Sequence, residues 1–121
     1  ALLYTASKPE LAPAYDIDPV LLDDVTHEML FRIGDARVAD DITGEDLDRF
    51  LKALGARSFG KPQQRRAASI IKTLLEAADA LPRPAGKGLC DVIRQQAYHV
   101  SGNLGLGLDV AEFDAVPVNR P

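Results

Sequence analysis

Residues 43–80 read TGEDLDRFLKALGARSFGKPQQRRAASIIKTLLEAADA, and this stretch decides the fold. Leu47, Phe50, Leu51 and Leu54 recur at i, i+3, i+4 and i+7, the spacing of one helix face. Thr43 stands where a side-chain cap is needed, with Asp46 three positions on as a capping box. Gly55 closes this helix. After the loop 55–61, Pro62 suits the first turn of a second one, because its missing N–H would be unpaired there anyway. Ala67, Ile70, Ile71, Leu74, Leu75 and Ala78 form its apolar face, and Pro82 and Pro84 end it. The stretch therefore predicts a helical hairpin.

Towards the N-terminus, Asp18–Pro19 opens a further expected helix, with Leu22, Val25, Met29 and Ile33 on one face and Gly34 as its stop. Towards the C-terminus a helix is expected from about Leu89 to Val100, with Val92, Ile93 and Ala97 inward. Residues 101–107 read as a loop, and Asp109 with Glu112 caps one short last turn. The expected fold is all-α, a single-domain bundle of four to five helices. Residues 1–17 form an irregular arm, 18–116 the helical domain and 117–121 a frayed tail. Its core is expected at Leu47, Phe50, Leu51, Leu54, Ile70, Ile71, Leu74 and Leu75.

Composition agrees with this reading. The 121 residues are 46% hydrophobic and 26% charged, which fits one globular domain. A single cysteine, Cys90, excludes an internal disulfide and points to a reducing compartment, the cytoplasm. No apolar run approaches the ~20 residues that span a bilayer, so no membrane partner is expected.

Charge is the least ordinary property. Residues 49–72 contain no acid and seven bases, whereas residues 10–48 carry twelve acids against Arg32 and Arg37. Three of the seven bases have an acid one helical turn away: Glu45 for Arg49, Asp48 for Lys52 and Glu76 for Lys72. Arg57, Lys61, Arg65 and Arg66 remain, gathered at the start of the second helix of the hairpin. A helix dipole disfavours bases there, by ~0.3–1 kcal/mol per exposed charge. Free first-turn amides flanked by Arg and Lys suit a phosphate, so these four are the candidate nucleic-acid or anion-binding residues. The alternative is that they pair with Asp40–Asp48 of the same chain.

No metal or cofactor is expected. His27, His99 and Cys90 do not make the four close-set ligands of a structural zinc site. Cys90 and His99 are about 13 Å apart along one helix at ~1.5 Å per residue, too far for a catalytic pair. Cys90 reads instead as a small buried residue. Gly102-Asn-Leu-Gly-Leu-Gly107 has neither the glycine spacing of a dinucleotide fold nor the Lys-Ser/Thr ending of a P-loop. No catalytic residue is assigned. Asp23, Asp24, Asp40, Asp41, Glu45, Asp46 and Asp48 supply carboxylates, but acid–base work needs one of them in a desolvated cleft.

One family resemblance follows from these residues. Asp41-Ile-Thr-Gly-Glu-Asp-Leu-Asp-Arg-Phe-Leu, a loop, then Gln64-Arg-Arg-Ala-Ala-Ser-Ile-Ile-Lys-Thr-Leu-Leu resembles the SAM-like core-binding domain of phage-integrase-type tyrosine recombinases. The resemblance spans residues 40–80 and implies a small four-helix bundle that helps clamp DNA. It transfers a phosphate-contacting role to Arg57, Lys61, Arg65 and Arg66. The family's catalytic domain, with its Arg, His and Tyr set, is absent, and residues 85–121 have no counterpart in it.

The expected function is a non-enzymatic binding or adaptor domain, an accessory or regulatory piece of a larger assembly, engaging a protein partner or itself. The first alternative is a DNA- or RNA-binding module using the basic loop. The second is a small enzyme using the clustered carboxylates, which requires a pocket holding two converging acids or a His–acid pair.

Overall fold

The computed structural model describes the backbone of residues 2–4, 9–11 and 20–121, and side chains from Leu21 onward. Three α-helices dominate: α1 (Gly44–Ala53), α2 (Lys61–Asp79) and α3 (Lys87–Asn103). Two 3-10 turns, Val20–Leu22 and Ala39–Asp41, precede them. Within the expected irregular arm, Leu2–Tyr4 (β1) and Pro9–Leu11 (β2) pair antiparallel, Leu2 opposite Leu11.

Both expected helices of residues 43–80 form, but they do not pack on each other as a hairpin: α2 packs on α3 instead. Thr43 and Asp46 make the reciprocal capping box of α1. Gly55, at φ +73°, ends it: the amide of Gly55 donates to the Lys52 carbonyl and that of Ala56 to the Leu51 carbonyl. This is the paired bonding of a left-handed glycine stop. The same motif ends α3, where Gly105 (φ +61°) and Leu106 donate to Gly102 and Ser101. Ser101 to Asn103, expected in a loop, are therefore helical.

The helix expected from Asp18 to Ile33 does not form, which reduces four to five helices to three. Its Asp18–Pro19 cap lies outside the described residues. Beyond Leu22 the backbone amides find distant partners instead of carbonyls four residues back. His27 donates to the Asn119 carbonyl at 2.8 Å and Met29 to the Arg37 carbonyl at 2.8 Å. The 3.6-residue spacing of apolar side chains was genuine, but tertiary backbone pairing outcompeted a marginal helix. The short turn expected at Asp109–Glu112 is also absent.

The core differs from the expected set. Ala36, Val38, Ile71, Ala78, Cys90, Val92 and Ala97 are buried, and Cys90 is the small buried residue its sequence context suggested. α3 is central, packed on α2 and on both 3-10 turns. Leu54, Ile70 and Leu74, all expected inside, are exposed, while Leu47, Phe50, Leu51 and Leu75 are half-buried. The stripe of α1 faces the segment before it: the Phe50 ring stacks on Phe31 at 6.5 Å between centroids.

Residues 113–121 wrap α3. Gln95, fully buried, brackets the backbone of Val116, with Nε2 donating to its carbonyl and Oε1 accepting from its amide, both at 2.7 Å. Further on, within the residues expected to fray, the Asn119 amide donates to His27 Nδ1 and its side chain to the Val25 carbonyl. Arg120 pairs with Asp41. No described helix is long and apolar enough to cross a membrane.

Candidate functional site

The four expected anion-binding residues lie around the start of α2. Arg57 is in the loop before it, Lys61 is its first residue, and Arg65 and Arg66 occupy its second turn; all four are exposed. Lys61 and Arg65, one turn apart, line a shallow depression of about 210 Å³ with Gln64, Ala68 and Leu106. Arg66 is about 100° further round the helix and lies one turn ahead of Ile70.

None of the four pairs with an acid among the described residues, and Asp40, Asp41, Asp46 and Asp48 have other partners. Asp46 accepts from the Asp35 amide (2.9 Å), the Thr43 amide (3.0 Å), the Thr43 hydroxyl (2.7 Å) and Arg49 (2.9 Å). The Asp35 amide first, then Thr43 and Arg49, hold its carboxyl down at about 2 despite burial. Asp48 pairs with Lys52 at 2.7 Å and accepts from the Phe59 amide at 3.0 Å. Lys52 is the main cause of its lowered pKa. Asp40 bonds Gln96, and Asp41 bonds Arg120. Arg49, expected to pair with Glu45, meets Asp35 and Asp46 instead. Among the described residues, the two carboxylates whose pKa moves, Asp46 and Asp48, go down, the direction opposite to that of a general acid.

Between α2 and α3 runs a groove of about 350 Å³ whose walls are almost wholly apolar, including Ile70, Leu74, Ile93 and Val100. Ile70 is 51% exposed and Leu74 47%. Arg66 precedes Ile70 by one helical turn and is not itself among the groove's lining residues.

A larger and polar cavity, about 730 Å³, lies between α3 and the C-terminal segment. Asp40, Asp41, His99, Asn103, Asp114 and Arg120 line it. His99 Nε2 is 3.1 Å from Asp114 Oδ1, and Asn103 Nδ2 donates to the Asp40 carbonyl. This is the His–acid pair that the enzyme alternative requires, although no Ser, Thr or Cys is among the lining residues. Sequence reasoning missed this constellation because it joins distant stretches: Asn103 bonds Asp40 63 residues away and Arg120 bonds Asp41 79 away, while His99 and Asp114 are 15 apart across the end of α3. Among the described residues, no three His, Cys, Asp or Glu side chains are placed to hold a metal ion.

No family model matches the chain, and no curated protein or solved structure is significantly similar to it.

Proposed function

We propose that the chain is a non-enzymatic binding module whose α2–α3 groove docks an acidic amphipathic segment of a protein partner. The exposure of Ile70 and Leu74 along an otherwise apolar groove carries this reading. Covering their remaining surface is worth about 1 kcal/mol each. Contiguous apolar surface of this kind on a small chain is a common mark of an interaction site. Charge complementarity selects the partner: Arg66 precedes the groove residue Ile70 by one helical turn, and Arg57, Lys61, Arg65 and Arg66 pair with no described acid.

Fluorescence anisotropy tests it with a labelled helical peptide bearing Leu at i, i+3, i+4 and i+7 and Glu between them. The double variant Ile70→Asp/Leu74→Asp is expected to weaken binding at least about tenfold, and Arg66→Ala about threefold. Equal affinity for the same peptide with Lys in place of Glu overturns the assignment, as does no binding by the wild-type chain. Sedimentation of the chain alone adds a further arm. A dimer dissociated by Ile70→Asp gives the groove to a second copy and likewise overturns an acidic partner.

The same four bases support a second reading, DNA or RNA binding through the loop and the start of α2, in line with the resemblance of residues 40–80. Retardation of duplex or single-stranded DNA is then expected at low salt. It should fall steeply as salt rises and disappear when Arg57, Lys61, Arg65 and Arg66 are all changed to Ala. Absence of retardation at low salt excludes this reading.

A further inference from the structure

We propose that protonation of His27 releases residues 117–121 from the rest of the chain, making this segment a pH-sensitive strap over the polar cavity beside α3. The hydrogen bonding of one imidazole ring carries the inference. A backbone N–H can only donate, and a backbone carbonyl can only accept. The Asn119 amide donates to His27 Nδ1 at 3.0 Å, so Nδ1 carries no proton. His27 Nε2 lies 3.2 Å from the Asp23 carbonyl, so Nε2 carries one. Together the two contacts fix the neutral ring in a single tautomer. An imidazolium donates from both nitrogens. Its Nδ1–H would meet the Asn119 N–H, donor against donor, and the bond is lost. A proton and the Asn119 amide thus compete for one lone pair, and each weakens the hold of the other.

Asn119 anchors the segment. Its carbonyl accepts from the His27 amide at 2.8 Å, and its side chain donates to the Val25 carbonyl at 3.0 Å. With the ring contact, all three bonds end on residues 25–27, so the proton acts on one compact attachment. The Val25 contact is exposed, and water competes for it. Arg120 pairs with Asp41 through side chains that are about half exposed, where an ion pair is weak and screened by salt. Val116 is held differently: the buried Gln95 clamps its amide and carbonyl by bonds that do not titrate. The hinge therefore falls between Val116 and Pro117. Pro117, Val118 and Arg120 form part of the wall of the polar cavity, so their departure opens it on that side.

The other charged groups on the elements that meet the ring are Asp23, Asp24 and Glu28 on its own segment, Arg37 on the segment paired with Met29, and Arg120 beside Asn119. Glu28 is engaged by Arg37, and Arg120 by Asp41. Asp23 meets the ring through its backbone carbonyl. Ordinary carboxylates and guanidinium groups keep their charge between about pH 8 and about pH 5, the range in which imidazoles gain a proton. The second imidazole responds in the opposite sense. His99 Nε2, on α3, faces the Asp114 carboxylate at 3.1 Å, and protonation turns that contact into an ion pair. Acid therefore tightens the segment at Asp114, leaves the clamp at Val116 and loosens the anchor at Asn119.

Backbone amide relaxation of the full chain by NMR, from about pH 8 to about pH 5, tests the strap beside the ring resonances of both histidines. Order parameters of residues 118–120 are expected to fall from about 0.85 to below about 0.6, with the midpoint of His27 protonation, while Val116 stays rigid. His27→Asn places an amide oxygen near the position of Nδ1 and does not titrate, so it should keep the segment rigid throughout. His27→Ala removes the acceptor and should leave the segment loose throughout. His99→Gln should leave the transition in place. A wild-type segment equally ordered at both ends of the range overturns the proposal, and this titration stays decisive if a variant disturbs the fold. A transition that survives in His27→Asn, or one that follows His99, does the same. So does a loss of order that includes Val116, which is general acid unfolding.

Discussion

The starts of α1 and α2 face the same backbone problem and solve it in opposite ways. At α1 every device is present: a Thr43–Asp46 box, an acid in the first turn, and Arg49 and the Asp35 amide closing on the same carboxylate. At α2 the cap is Gly60, whose amide is taken by Gln63 Oε1 at 3.1 Å, and the first turn has no acid. Bases surround it and face outward. One helix start is sealed by its own chain, and at the other the surrounding bases pair with no described acid. A local rule broken at α2 without an intramolecular gain is what motivates the proposed anionic contact there.

The largest expected effect tests how tightly the first start is sealed. Gly34 has φ +61°, and a Cβ there would lie 2.1 Å from Asp46 Oδ1. Gly34→Ala combines left-handed strain with displacement of the capping carboxylate, and is expected to cost about 3 kcal/mol in urea unfolding. A loss below about 1 kcal/mol would mean that the Gly34 turn and Asp46 are not held together.

Removing the carboxylate itself should cost somewhat less. Asp46→Ala deletes the cap and leaves the Asp35 and Thr43 amides unmet, a loss of about 2 kcal/mol. Its pH signature has a definite sign. The folded-state pKa is depressed to about 2 from 3.8, so the stability Asp46 contributes is fully present above the unfolded value. It is lost as pH falls from about 4 towards 2. Thermal melts of Asp46→Asn across that window should show a flatter acid limb than wild type, and identical limbs would contradict the assignment.

The smallest effect is at the second start, and it has the opposite sign. Arg65→Glu replaces a base by an acid near the N-terminus of α2 and is expected to stabilise the chain by about 0.5 kcal/mol. The same change should weaken binding of any anionic partner. A variant that loses stability instead would show that Arg65 already has a favourable intramolecular role, and the contrast between the two helix starts would disappear.

Much of this was legible beforehand, for physical reasons that can be named. The Thr43 cap, the Gly55 stop and Pro62 act through bonds within a few residues, so sequence spacing suffices to place α1 and α2. The same local logic identified Lys52 with Asp48. It failed at residues 23–33, where the amides of His27 and Met29 are satisfied by Asn119 and Arg37. It failed again at Ile70 and Leu74, because an apolar stripe wider than the available neighbour leaves part of itself uncovered. No local signal marks Asp40 as buried, since its partners Gln96 and Asn103 are far along the chain.

Sequence alone determined the three helices of this protein, the Gly55 stop of α1, and the gathering of Arg57, Lys61, Arg65 and Arg66 around the start of α2. All of these follow from near-neighbour sterics, capping and spacing. Only the tertiary structure decided that those bases form no ion pair with Asp40–Asp48, that a groove stays open between α2 and α3, and that the buried Asp40 is among the residues lining a polar cavity. These outcomes depend on which distant groups compete for each donor and acceptor, and that competition is settled only when the chain has closed on itself.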